Sequence, residues 1–171
     1  MLYATPIARS LAHHLAKPTD PVAVEIHEFC MSNYGKPLRV CLGGIGDIYS
    51  REPDIRPTPF VEIYPMGNVT SGNETGEDTA YVGMRVVVDA RDRENFGAPE
   101  VDEDGVHILN FEPGLETLVG LIQRLASMPI HKALSRSWQN GEDGTGFPVC
   151  ETEMLGTYYG KANQSSAFRI A

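Results

Sequence analysis

The sequence contains no apolar run near the roughly 18 residues of a membrane span. It holds only 3 cysteines, Cys30, Cys41 and Cys150, too few and too scattered for a disulfide framework. Reduced thiols and cytoplasmic synthesis are therefore expected. Met1 to Ser10 has one early charge and no sustained apolar core, so no secretory signal is expected. The Asn-x-Ser/Thr triplets at Asn68, Asn73 and Asn163 are accordingly expected to carry no glycans. Positive charge is scarce too. With 14 Lys+Arg against 23 Asp+Glu the formal net charge is −9, which leaves little for the large basic patch of a general nucleic-acid binder.

Catalytic signatures are equally thin. Gly43-Gly44-Ile45-Gly46-Asp47 follows a strand-like run, but it lacks the G-x-G-x-x-G spacing and no G-K-[ST] occurs, so it reads as a turn. His27 and Cys30 lie three apart on a helix and could pair as imidazole and thiolate. Cys30 also fits the apolar face as a small hydrophobe, and no third orienting group is apparent. His13 and His14 are adjacent and point apart. His107 and His131 have no Cys or His at ligand spacing, so no metal and no cofactor are expected. Asp102-Glu103-Asp104-Gly105 resembles a calcium loop only in its first residues, because His107 and Pro113 stand where glycine and glutamate belong. Glu151 and Glu153 share one face of a strand and could do acid–base work, though such pairs are more often plain surface charge. No enzyme signature survives, and the chain is expected not to be an enzyme.

What is present suits a globular fold. The 171 residues are 42% apolar and 22% charged. A chain of this length buries roughly 68–70% of its unfolded surface. The 17 glycines and 12 prolines predict many turns. Ile7, Ala8, Leu11 and Leu15 mark one helix, with Pro6 in its first turn. Asp20-Pro21 is an N-cap and N1 pair opening a second helix over 21–33, stopped by Gly35 and Pro37. Residues 38–42 read as a strand, and 47–57 as a loop. Phe60 to Tyr64 is a short strand bounded by Pro59 and Pro65.

Residues 66–78 read as a long polar loop. The strand that follows has Ala80, Val82, Met84, Val86, Val88 and Ala90 on one apolar face, which predicts packing against helices. The two strands with their loop form an extended β-hairpin. Residues 92–112 are an acidic connection with Glu94, Glu100, Asp102, Glu103, Asp104 and Glu112. Leu115, Leu118, Val119, Ile122, Leu125 and Ala126 define the best helix, with Pro113 at N1 and Glu112 and Glu116 favouring its positive end. A further helical turn is expected through Ala133, Leu134 and Trp138, a loop over 140–146, a strand over 147–159 and a short strand or tail at 167–170. The expected fold is α+β: one domain over 1–171, a small mixed or antiparallel sheet with a long β-hairpin, and helices packed on one face. Protruding hairpins of this kind commonly build rings and tubes.

In this order of elements the chain resembles the tail terminator (tail completion) proteins of long-tailed bacteriophages. The resemblance rests on the N-terminal helical stretch and the proline-led strand Pro57-Thr58-Pro59-Phe60-Val61-Glu62-Ile63-Tyr64. It continues through the glycine-rich hairpin loop, the strand from Tyr81 to Asp89, the helix from Gly114 to Ile122 and the strand-rich C-terminus. The resemblance implies a homo-oligomeric ring, expected as a hexamer, that caps the tail tube, halts its growth and meets a neck or head-completion protein. Its place would be the head-proximal end of the virion tail, after assembly in the host cytoplasm, with no membrane partner. A neighbouring neck or connector role is the alternative, and a small cytoplasmic enzyme or ligand-binding domain a further one. DNA would pass through the lumen without specific binding, and an acidic lumen suits that passage because it repels phosphates. The expected subunit or tube contacts are Asn68, Val69, Thr70, Asn73 and Glu74. The expected pore-facing acids are Glu100, Asp102, Glu103, Asp104, Glu151 and Glu153.

Overall fold

A computed structural model describes residues 3–44, 57–70, 77–109, 112–128, 135–144 and 147–161. Helix α1 spans Ala4–Ala16 and α2 spans Pro21–Tyr34. Strands β1 (Arg39–Leu42), β2 (Phe60–Thr70) and β3 (Glu77–Asp89) follow. A 3-10 turn at Ala90–Asp92 leads to the small hairpin of β4 (Glu100–Val101) and β5 (His107–Ile108). Helix α3 covers Gly114–Ala126, and β6 (Ser135–Gly144) and β7 (Val149–Lys161) complete the order. The fold is α+β, with a five-stranded mixed sheet in the order β1-β2-β3-β7-β6. Only β1 and β2 run parallel; every other neighbouring pair is antiparallel. No helix among the described residues is long and apolar enough to cross a membrane.

The core forms where the apolar periods predict it. Ala80, Val82, Met84, Val86 and Val88 are all buried on one face of β3. Against that face lie Ile7, Leu11 and Leu15 of α1 and Leu118, Ile122 and Leu125 of α3. Helix α2 completes this layer with Ala23, Ile26 and Cys30. Asp20 caps α2 as expected: its carboxylate accepts from Val22 N–H at 2.9 Å, and Gly35 ends the helix at φ +68°. Pro6 falls in the first turn of α1. Pro113 stands at the N-cap of α3, one residue before the N1 position expected for it.

Three expectations fail, each for a physical reason. Strand β2 runs through Pro65 to Thr70 and β3 starts at Glu77, so both ends of the loop expected at 66–78 are strand, and 71–76 lie outside the described residues. Among the described residues β1 pairs only as far as Ile63, so no described strand pairs with Pro65 on that flank of β2. A register shift between Pro65 and Gly67, with Gly67 at φ +120°, absorbs the irregularity. Second, Trp138 belongs to strand β6 rather than to a helical turn, and that strand also takes in most of the loop expected at 140–146. Strand β7 supplies a backbone edge for it, so pairing rather than apolar alternation makes this strand. Third, the 92–112 connection contains the β4–β5 hairpin. Ala133, Leu134 and the tail at 167–170 lie outside the described residues.

Candidate functional site

Three features outside the core carry polar or exposed groups. The first is the distal half of the β2–β3 hairpin. Met66, Asn68 and Val69 are exposed there. Thr70 ends β2 opposite Asp78. Asn73 and Glu74 lie outside the described residues. At the root of this segment Tyr64 and Met66 lie over Gly83 on the sheet face turned away from the helices. A Cβ at Gly83 would stand 2.7 Å from Tyr64 Cζ and 2.9 Å from Met66 Sδ. Glycine is what lets the Tyr64 ring lie flat across the strand. Burial, with Glu153 and Glu62 nearby, raises the Tyr64 phenol above its usual value.

The second feature is the same sheet face one register row along. Arg85 on β3 stands opposite Glu62 on β2 and Glu153 on β7. Its Nε is 3.2 Å from Glu151 Oε2, its Nη1 is 3.9 Å from Glu62 Oε2, and its guanidinium lies 5.7 Å from the Phe60 ring centre. Glu151 is thus half-buried and tied to Arg85, while Glu153 is exposed. The register places the two carboxylates on one sheet face, with Glu151 beside Arg85.

The third is the acidic connection. Glu100, Glu103 and Asp104 are exposed on the β4–β5 hairpin. Asp102 works within the turn: its carboxylate accepts from Asp104 N–H and Val106 N–H, both at 2.9 Å. The structure therefore gathers four of the six acidic candidates on one hairpin and puts Glu151 and Glu153 on the sheet.

Glu112 departs from the reading as a simple end-of-helix charge, because it is buried. It accepts from Tyr34 Oη at 2.9 Å, from Gly114 N–H at 2.8 Å and from Arg93 Nε at 2.6 and 2.8 Å, and also bonds Arg93 Nη2. Arg93 Nη1 donates to Asn33 Oδ1 at 3.2 Å. Burial, with Glu112 beside it, pushes the Tyr34 phenol well above its usual value. Next to this, Asp92 accepts from Lys36 Nζ at 3.1 Å and Thr58 Oγ1 at 3.0 Å, and Asp89 accepts from Arg91 Nη2 at 2.6 Å. Sequence reasoning missed this cluster. Its only local signal was Glu112 two residues before Gly114, where a Cβ would run into Glu112 and Arg93.

The His27 and Cys30 pair does not form. His27 Nε2 is 2.8 Å from the Leu15 carbonyl, where it bonds the end of α1. Cys30 is fully buried, and burial pushes its thiol up to about 12. Among the described residues no group of His, Cys, Asp and Glu is placed to hold a metal ion. No family model matches the chain, and no curated protein matches it in sequence.

Proposed function

We propose that this chain is a structural protein of the phage virion, of the tail terminator type. Copies form a ring, expected as a hexamer, that caps the tail tube, stops its polymerisation and joins the tail to the neck and head. In this reading the chain is not an enzyme and binds no cofactor. The observation that carries it is architectural. A well-packed helix-and-sheet body exposes Met66, Asn68 and Val69 along β2 and bears one small separate hairpin, the exposed acidic β4–β5. Hairpins that stand off a body are suited to reach neighbouring subunits or a tube. The excess of carboxylates suits a lumen through which DNA slides without sticking.

Purified particles test this. The chain should be found in the virion, and labelling should place it at the head-proximal end of the tail. Removing it should give tails of uncontrolled length. Absence from particles would overturn the reading. Presence with normal tail length would overturn the terminator role and favour a neighbouring neck component.

A further inference from the structure

Five of the eleven large exposed apolar side chains of the described surface lie near one another in the fold. Phe96, Val101, Val106, Leu109 and Phe147 are all exposed, and all lie on or beside the β4–β5 hairpin. The rings of Phe96 and Phe147 are 6.1 Å apart beside a cleft of about 430 Å³, which Pro99 and Leu109 also line. Scattered exposed hydrophobes need no explanation, but a contiguous group marks a contact surface. Nearby Arg91 and Arg93 are paired with Asp89 and Glu112, which leaves the charge outside ion pairs around this group negative. Glu94, Glu100, Glu103 and Asp104 are exposed, and none of them joins an ion pair among the described residues. The surface thus calls for a partner that offers an apolar anchor together with cations.

Helix α1 offers both. No acidic residue occurs between Ala4 and Lys17. Arg9, His13 and Lys17 recur every four residues and are exposed, while the opposite side of the helix packs on the sheet. Tyr3, just before the helix, is exposed as well. From Pro99 at the cleft to Asp102, where the turn begins, extended chain covers about 10 Å at ~3.3 Å per residue. From Tyr3 to Arg9 the helix rises about 9 Å at ~1.5 Å per residue. With Tyr3 seated beside Phe96 and Phe147, Arg9 and His13 would run alongside the acidic strand and turn.

We propose that the β4–β5 hairpin of one copy docks on the outward face of α1 of a second copy. The contact rests on the ring reading above and deepens it. Because it joins two different surfaces it is head-to-tail, the type of contact that generates rings when the rotation closes.

The test uses the full chain in sedimentation at a series of concentrations, in low and high salt, with electron microscopy of the same samples. Glu100→Lys/Glu103→Lys/Asp104→Lys and Arg9→Glu/Lys17→Glu are each expected to weaken self-association roughly tenfold or more. Combining the two sets should restore it to within a few-fold, and high salt should weaken the unmodified chain. Asp102 is left intact because it forms the turn. A second measurement does not depend on those variants folding. Copies carrying Tyr3→Cys, mixed with copies carrying Leu109→Cys, should form a disulfide between unlike copies. Rings that persist in both charge-reversed variants would overturn this contact and leave the ring reading standing. A chain that stays monomeric at every concentration in low salt, or unlike copies that do not cross-link, would also overturn the contact. The ring reading would then be decided on particles. Restoration by a basic peptide or an unrelated basic protein in place of the reversed copy would equally count against self-docking.

Discussion

The two sides of α3 are held by opposite physics. Along its length Leu118, Ile122 and Leu125 pack in one apolar cluster with Val82, Met84 and Val86 of β3. At its start, Glu112 is buried in contact with Arg93, Tyr34 and the Gly114 N–H. The first region gains stability from removing apolar surface from water. The second must overcome the desolvation of a carboxylate and a guanidinium, and it does so by giving Glu112 several donors. Apolar burial therefore supplies stability along α3, while the polar cluster fixes where the helix begins and ties the 92–112 connection to α2.

Truncation in the apolar region should show the largest effect. Ile122→Ala or Leu118→Ala is expected to cost roughly 2–5 kcal/mol in urea unfolding, since both side chains are fully buried. A loss under about 0.5 kcal/mol, typical of a surface site, would mean this face of α3 does not carry the core.

The polar region should rank second. Glu112→Ala strands Arg93 and leaves the Gly114 N–H and the Tyr34 hydroxyl without their acceptor. Removing one partner of a buried pair costs roughly 3–5 kcal/mol. The Arg93 side chain keeps 23% exposure, so water softens the penalty and about 2–3 kcal/mol is expected here. Glu112→Met with Arg93→Met should recover part of it, because the pair is costly to desolvate. A double variant no better than the sum of the singles would show that the two residues do not act as a unit.

This contrast also explains what was legible in the sequence. The helices and β3 announce themselves because burial on one side imposes a period that can be counted, as Val82, Met84, Val86 and Val88 show. The extension of β2 through Pro65 was not legible: whether a proline fits depends on where β1 stops, which is a fact of the neighbouring strand. Strand β6 escaped for a related reason, since its polar run is extended by pairing with β7. The Glu112 cluster joins residues 19 and 78 positions apart, and no local pattern encodes that. Of the candidate contact residues, Asn68 and Val69 are exposed, on strand β2 rather than in the loop expected there. The split of the acids between hairpin and sheet, with Glu151 on Arg85, needed the register.

The sheet face away from the helices gives a third, smaller effect. Gly83→Ala would press on the Tyr64 ring and Met66, which can turn outward, so about 1 kcal/mol is expected. In a Tyr64→Ala background the same change should cost clearly less. Equal costs in both backgrounds would show that the ring does not dictate glycine here.

The smallest effect belongs to a polar device that stays in water. Asp20 caps α2, and its carboxyl is held below its ordinary value, chiefly by the Val22 N–H, with desolvation opposing and His14 and the Ala23 N–H adding to the lowering. A carboxyl whose folded value is depressed stabilises the fold at pH above its ordinary range, and this contribution disappears as pH falls through the folded value. Asp20→Ala should therefore lower the melting temperature near neutral pH by less than any change above. The gap from the unmodified protein should close progressively in strong acid. Asp20→Asn separates cap from charge: asparagine caps comparably, so it should keep most of the neutral-pH stability while losing the pH-dependent part. A gap between Asp20→Ala and the unmodified protein that persisted unchanged into strong acid would mean that the carboxylate's charge adds nothing. Asp20 would then act through cap geometry alone.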